Sequence, residues 1–153
     1  MRDVLGIQDA EHEETAPGAP TLFISRLDCA LVGVQQEVIL SPGTLVHRAF
    51  CQLCPPMIHV GTAELANGQD RVTERFRCSY GLNPAYREAL ALGDLKVAGV
   101  DVHGEVRIVE LSGHPFFVAT LFQPQLSSSP DRPHPLVVAY LSAGIAFSAR
   151  KED

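Results

Sequence analysis

The chain has 153 residues, of which 46% are hydrophobic and 20% are charged. This composition is typical of a single globular domain with enough apolar side chains to form a core, so we expect one domain over residues 1–153. The formal net charge of −6 leaves no basic surface for phosphate groups, which argues against nucleic acid or an anionic membrane as a partner. A small molecule or another protein is the expected partner.

The sequence carries no sign of export or membrane insertion. It has no run of about 18 apolar residues, and its polar opening lacks the basic start and apolar stretch of a secretory signal. These features predict a cytoplasmic protein. Its four cysteines are then expected to be reduced thiols and not a disulfide framework.

The first half of the chain has weak structural signals. Residues 1–20 are predicted to hold the tail of a helix and then an exposed acidic loop, which has little to bury. Apolar runs predict short strands at 21–25, 30–34 and 37–40. Residues 45–70 are predicted to be an irregular insertion, because prolines and glycines interrupt their apolar periodicity.

The second half is more regular. Asn83 can cap a short helix over 84–92, since proline is well suited to its first turn. Strands are predicted at 95–100 and 105–111, joined by a tight turn at 101–104.

Two apolar segments complete the chain. The run 116–122 predicts a strand covered on both faces. Residues 135–148 predict a helix whose small side chains permit close packing. Strands bracketed by helices favour an α/β layered domain over an all-β one.

Three segments, 72–87, 110–125 and 129–136, resemble the class I glutamine amidotransferase domain of CTP synthase. They occur in the order of that family and at its approximate spacing, and the best-matching region covers about residues 72–147. The variants Gly81-Leu-Asn-Pro and Phe122-x-Pro-Gln125 are more similar to short bacterial proteins related to the C-terminal region of CTP synthase, some of them selenoproteins.

The resemblance implies a fold as well as a chemistry. We expect a three-layer, class I glutamine amidotransferase-like (flavodoxin-like) α/β domain. Because no opening series of strand and helix units precedes the acidic loop, the first such units are expected to be lacking.

In this family a cysteine attacks the side-chain amide of glutamine, a histidine takes the thiol proton, and a glutamate orients the histidine. The family motif Phe-His-Pro-Glu-Phe aligns with Phe122-Gln-Pro-Gln-Leu126 here. Gln123 therefore stands in the place of the base, and Gln125 in the place of the orienting carboxylate. A carboxamide has no useful basicity near neutral pH, so the resemblance implies that the catalytic pair is disabled.

Other family positions are altered too. Residues 2–6 are similar to the end of the helix that follows the family's nucleophile turn, so the nucleophile is expected to lie before Met1. The substrate-holding arginine of the family aligns with Ser79, next to the motif tyrosine, Tyr80. We treat these two residues as degenerate substrate-binding positions.

Two interpretations follow from the resemblance. In the first, the chain is a noncatalytic pseudoenzyme of the CTP synthase group, needing no cofactor and binding a small molecule or a protein partner. A homo-oligomer is expected, since missing strands would expose a sheet edge and apolar faces. In the alternative, the chain is the C-terminal fragment of a longer amidotransferase-like hydrolase or (seleno)cysteine enzyme whose nucleophile lies upstream.

A separate motif lies in the region 45–70. His47, Cys51, Cys54 and His59 form a His-x3-Cys-x2-Cys-x4-His pattern, a donor set suited to tetrahedral zinc. The same Cys-x2-Cys spacing occurs in redox pairs and also arises by chance. Metal ligands, redox pair and incidental thiols stay open as alternatives.

The remaining polar residues have simpler interpretations. Cys78 is expected to be a partly buried strand residue. Asp28 and Glu74 have no evident partner and are treated as isolated carboxylates. His114 and His134 match family positions outside the catalytic motif and are expected to tie loops together by hydrogen bonds. Arg132 resembles a residue of the family's loop before the last helix and is expected to support that loop.

Overall fold

The structure is a computed structural model that describes residues 1–53 and 70–150. No helix in these two ranges is long and apolar enough to cross a bilayer. The strands of the described residues are β1 (Glu11–His12), β2 (Leu22–Arg26), β3 (Val34–Leu40), β4 (Arg71–Phe76), β5 (Tyr80–Leu82), β6 (Leu95–Val100), β7 (Val106–Leu111) and β8 (Val118–Thr120). The α-helices of the same ranges are α1 (Arg2–Leu5), α2 (Leu45–Leu53), α3 (Arg87–Leu92) and α4 (Pro135–Ala149), with 3₁₀ turns at Pro84–Tyr86 and Pro124–Ser127.

The strands form two sheets. The larger sheet has the order β4-β3-β6-β7-β8, and every neighbouring pair in it is antiparallel. The smaller sheet has the order β1-β2-β5, in which β2 runs parallel to β1 and antiparallel to β5.

The larger sheet is the middle of three layers. On one face Phe50 of α2 and Leu136 of α4 share a core cluster with Ile108 of β7. On the other face Phe23 of the smaller sheet and Leu90 of α3 form a second cluster, against which Val109 of β7 packs. Successive strand residues point to opposite faces, so both faces of the sheet are covered. The predicted three-layer α/β fold class is confirmed.

Elements with strong local signals are confirmed. β2 matches the strand predicted at 21–25, and α4 matches the helix predicted at 135–148. Asn83 Oδ1 accepts a hydrogen bond from the Ala85 N–H at 3.0 Å, where a 3₁₀ turn leads into α3. The predicted turn at 101–104 joins β6 to β7.

Two strand predictions are wrong. In the segment 30–34 a turn precedes the strand, with Gly33 at a φ of 74°, and β3 begins only at Val34. The run 116–122 forms the three-residue edge strand β8, which is not covered on both faces, and Phe117 is 44% exposed.

The predicted irregular insertion at 45–70 is wrong for its first part, which is the helix α2. The Glu110 carboxylate of β7 accepts hydrogen bonds from the N–H groups of Leu45 (3.0 Å) and Val46 (3.1 Å). This carboxylate satisfies two backbone donors that every helix leaves open at its start and complements the positive end of the helix dipole. Residues 54–69 lie outside the described residues.

A buried pair joins α4 to the larger sheet. Glu74 of β4 is 3% exposed and lies 2.8 Å from His134 Nε2, and it also accepts a hydrogen bond from the Ser127 hydroxyl at 3.0 Å. His134 Nδ1 accepts the N–H of Leu136 at 3.1 Å and so caps α4. Because Nδ1 accepts, Nε2 is the nitrogen that donates to Glu74. The interpretation of Glu74 as isolated is wrong, while the expected tying role of His134 is confirmed.

A second buried pair closes the turn between β6 and β7. Asp101 is 1% exposed, and its Oδ2 accepts a hydrogen bond of 2.7 Å from the guanidinium of Arg107. Its Oδ1 accepts the N–H groups of His103 and Glu105, both at 2.9 Å. Burial by itself raises the pKa of Asp101, but the Glu105 N–H and the hydrogen bond and charge of Arg107 outweigh it, so the pKa lies below its ordinary value.

Asp101→Asn is expected to lower the free energy of unfolding by about 3–5 kcal/mol at neutral pH, because it leaves Arg107 buried without a counter-charge. The folded-state pKa of Asp101 is lowered, so its stabilisation is present above the unfolded-state pKa of about 4 and is lost as pH falls through the folded value. Urea denaturation at a series of pH values should show the difference from wild type shrinking in acid. The exposed Asp28→Asn is the control, and a difference that stays constant with pH would contradict the argument.

His134→Ala removes both the partner of Glu74 and the cap of α4, so we expect a loss of about 3–5 kcal/mol. His134→Asn provides a shorter capping side chain that does not reach Glu74, and it should recover about 1 kcal/mol of that loss. Chemical denaturation followed by circular dichroism measures both, with His103→Ala on the exposed turn as the control. A His134→Ala protein as stable as the control would show that the pair does not hold the fold.

Candidate functional site

Gln123 and Gln125 follow β8, where the chain leaves the larger sheet. The N–H of Gln123 donates to the Arg75 carbonyl of β4 at 3.2 Å. The Oε1 of Gln123 is buried and has no hydrogen-bond partner among the described residues, whereas Gln125 is exposed. In the described part of the chain no ionisable side chain is hydrogen-bonded to either amide. The two positions therefore offer neither a base nor a carboxylate.

The segment that carries these glutamines is fixed at both ends. Before it, Phe122 is 2% exposed, and its ring packs edge-on against Phe76 with centroids 5.9 Å apart. After it, the hydroxyl of Ser127 is bonded to the buried Glu74. Packing of Phe122 and the hydrogen bond of Ser127 thus position the segment, and among the described residues neither glutamine side chain adds a hydrogen bond.

Ser79 and Tyr80 lie between β4 and the start of β5. The carbonyl of Ser79 accepts the N–H of Leu27 at 2.9 Å, and the Tyr80 ring packs against His12 with centroids 5.1 Å apart. Within the two described ranges no hydrogen bond links either residue to the glutamine segment. A serine hydroxyl at this place provides no positive charge for a substrate carboxylate, so the binding role of both residues stays a prediction.

Cys78 and Cys29 are two of the thiols in the described ranges. Cys78 is half-buried, and its thiol donates to the Tyr80 carbonyl at 3.0 Å. It lies in the connection between β4 and β5, so its predicted partial burial is confirmed while its predicted place in a strand is wrong. Cys29 is exposed in a loop. Neither thiol is hydrogen-bonded to Gln123.

The proposed metal motif is only partly within the described residues. His47 and Cys51 lie one turn apart on α2, with Sγ 3.6 Å from Nε2, whereas Cys54 and His59 fall outside the described residues. Asp70, which the motif did not include, places its Oδ2 2.6 Å from His47 Nε2. Sequence reasoning missed Asp70 because it lies 23 residues away from His47 and the motif counted only histidines and cysteines.

An apolar cavity of about 180 Å³ is lined by residues of both sheets and of α3. Typical ligand pockets are larger, roughly 300–1,000 Å³, and combine apolar walls with several convergent polar groups. Here Arg107, whose Nε is buried and has no partner among the described residues, and Thr120 are the polar side chains of the lining. The cavity is therefore too small and too apolar for a nucleotide.

The chain is similar to curated CTP synthases. It is 38% identical to the enzyme of Carboxydothermus hydrogenoformans over 147 residues, covering 94% of this chain and 26% of that protein. It is also 38% identical to that of Thermomicrobium roseum over 153 residues (99% and 26%) and 34% identical to that of Bifidobacterium longum over 155 residues (98% and 27%). The chain thus spans about a quarter of the length of the curated relatives it matches.

The fold is similar to that of the glutaminase domain of Trypanosoma brucei CTPS with bound acivicin. The two structures superpose with a TM-score of 0.76 at 23% identity, over 95% of this chain and 54% of that one. No protein-family model matches the sequence. The structural likeness shows a shared fold, and the curated relatives add sequence similarity over nearly the whole chain. The chain is therefore similar in sequence to about a quarter of CTP synthase and has the fold of the glutaminase domain of that enzyme.

Proposed function

We propose that this chain is a noncatalytic glutamine amidotransferase-like domain that acts by binding another protein. The first part is supported by Gln123, which aligns with the base position of the family motif and whose buried amide oxygen has no hydrogen-bond partner among the described residues. An amide oxygen can accept a hydrogen bond but does not hold a proton near neutral pH, so it cannot generate a thiolate. The relationship to CTP synthase supports a role in pyrimidine metabolism, and a cytosolic location stays a prediction.

Gln125 lacks the negative charge that the residue orienting the base would provide. In an amidotransferase a carboxylate at this position would stabilise the imidazolium that forms when the base takes the proton. Gln125 is exposed and uncharged, so it would not provide that stabilisation even if a histidine stood at 123. The segment is held in place by Phe122 and Ser127, so its shape is retained while its proton-transfer chemistry is absent.

The purified chain is expected to hydrolyse glutamine at least about 10⁴-fold more slowly than CTP synthase, because enzymes of this kind lose that much or more when the base is removed. Ammonia release in a coupled assay measures this, with the Carboxydothermus hydrogenoformans enzyme as the active reference. The double variant Gln123→His/Gln125→Glu restores the proton-transfer pair alone and should stay inactive. Glutamine hydrolysis by the wild-type chain that is lost in Cys78→Ala or Gln123→Ala would contradict the proposal.

The choice of a protein partner rests on α4. This helix has no charged side chain between Pro135 and Ala149, and it enters the core through Leu136, which is 5% exposed. Further along, Tyr140, Leu141 and Ile145 are 60%, 58% and 73% exposed. A helix that is apolar on all sides is normally covered, and a contiguous apolar patch on a surface marks an interaction site.

A second copy of the chain is the partner that we propose. An interface with twofold symmetry places the same patch on both subunits, and an uncharged apolar patch is complementary to itself. The small apolar cavity between the sheets offers little to a polar metabolite, so a protein partner is favoured over a small molecule.

Ile145→Glu is expected to weaken self-association by at least about tenfold, which corresponds to 1.4 kcal/mol, because it would bury a charge in the apolar interface. Light scattering over a range of protein concentrations measures the dissociation constant. Val102→Glu is the matched control, since Val102 is 52% exposed on the turn between β6 and β7. A wild-type chain that is monomeric at every concentration tested would show that α4 does not bind a second copy.

A second candidate function is a hydrolase or (seleno)cysteine enzyme in which further polypeptide supplies the nucleophile. It is favoured by the extent of the match, since this chain covers 54% of the solved glutaminase-domain chain. The nucleotide sequence before the Met1 codon tests it. A continuous reading frame, with UGA read as selenocysteine, that encodes a glycine-rich nucleophile turn would support this candidate, and a different stop codon directly upstream would contradict it.

A further inference from the structure

Three side chains of types that can ligate a metal ion converge where α2 approaches the start of β4. His47 and Cys51 are four residues apart on α2 and therefore lie on the same side of the helix. Asp70 directly precedes β4. Cys51 Sγ lies 3.6 Å from His47 Nε2 and 3.8 Å from Asp70 Oδ2, and Asp70 Oδ2 lies 2.6 Å from His47 Nε2.

These separations are close to those of a tetrahedral zinc site. With ligand bonds of about 2.0–2.3 Å, the ligand atoms of such a site lie about 3.3–3.8 Å apart. Both separations from Cys51 Sγ already fall in this range. The third, between His47 and Asp70, is a hydrogen bond that an ion would replace, and it must lengthen by about 0.7 Å to reach the same range.

The surroundings permit that change. The side chain of Asp70 is 47% exposed and that of His47 is 21% exposed, so a small rotation of the carboxylate displaces solvent and not the core. Cys51 is exposed as well, which gives an ion access to the thiol.

The donor chemistry selects among cations. Imidazole nitrogen and thiolate sulfur suit zinc and other late transition metals, whereas magnesium and calcium prefer sites made of oxygen alone. We propose that His47 Nε2, Cys51 Sγ and Asp70 Oδ2 bind a zinc ion, with the fourth coordination position open to water or another ligand. This inference rests on these three side chains and is independent of the function proposed above.

The site would have a structural consequence. It would join the first two turns of α2 to Asp70, which directly precedes β4, and the start of α2 is already held by Glu110. Because an ion that binds the folded chain stabilises it by mass action, zinc should raise the melting temperature of the wild-type chain.

Zinc binding is tested on the full-length, metal-free chain by competition with a chromophoric chelator. We expect about one equivalent of zinc for wild type, and affinities at least about tenfold lower for His47→Ala, Cys51→Ser and Asp70→Asn. Cys29→Ser and His103→Ala change an exposed cysteine and an exposed histidine elsewhere, and both should bind as wild type does. Equal zinc affinity in Cys51→Ser, Asp70→Asn and wild type would overturn the proposal.

Cobalt substitution and alkylation test the site by independent means. Cobalt should give a thiolate charge-transfer band in wild type and in Cys29→Ser that Cys51→Ser lacks. In wild type, zinc should slow the alkylation of Cys51 by iodoacetamide while leaving that of Cys29 unchanged, as mass spectrometry of peptides would show. An alkylation rate of Cys51 that is the same with and without zinc would overturn the proposal.

Discussion

The contact between Glu74 and His134 is the constraint on which the arrangement of the candidate site depends. A carboxylate buried in a sheet destabilises the fold strongly unless it is paired, so β4, the Ser127 turn and the start of α4 must meet at this point. The Gln123 segment lies between β8 and that turn, and it is fixed as a consequence. The groups that position the segment are therefore different from Gln123 and Gln125, the two residues predicted to stand at the catalytic positions.

Local signals in the sequence were sufficient for elements whose ends are set by their own residues. Asn83 caps its helix through a neighbour two residues away, and Asp101 bonds the N–H groups of its own turn. The helix α2 was missed because its first N–H groups are bonded to Glu110, 65 residues away from Leu45, a distance at which no local pattern reports the contact. The apolar run at 116–122 was misread for a related reason, because hydropathy does not distinguish a central strand from an edge strand whose aromatic residues pack beyond it.

The residues of the candidate site also fall into two groups, those that the sequence indicated and those whose partners only the fold shows. Gln123 and Gln125 were found by resemblance to a contiguous motif, and no periodicity or composition would have singled them out. Glu74 and Asp70 acquire their partners only through the fold, since His134 and His47 are distant from them in the sequence. The available signal for Glu74 was its alternation with Val72 and Phe76, which places the carboxylate on the inward face of β4, where it requires a partner from elsewhere in the chain.

The layer formed by α2 and α4 carries the exposed apolar side chains and two of the three side chains proposed to bind zinc. α4 is tied to the sheet at its first turn by His134 and Leu136, while its last turns present apolar side chains to solvent. Burial of such side chains is favourable by roughly 25 cal/mol per Å², so the same surface that adds little to the fold of one chain can stabilise an assembly. α2 packs against α4, and it carries His47 and Cys51, which together with Asp70 form the proposed zinc site. This helical layer is therefore where the described residues concentrate the surface proposed to bind a second copy of the chain and the side chains proposed to bind zinc.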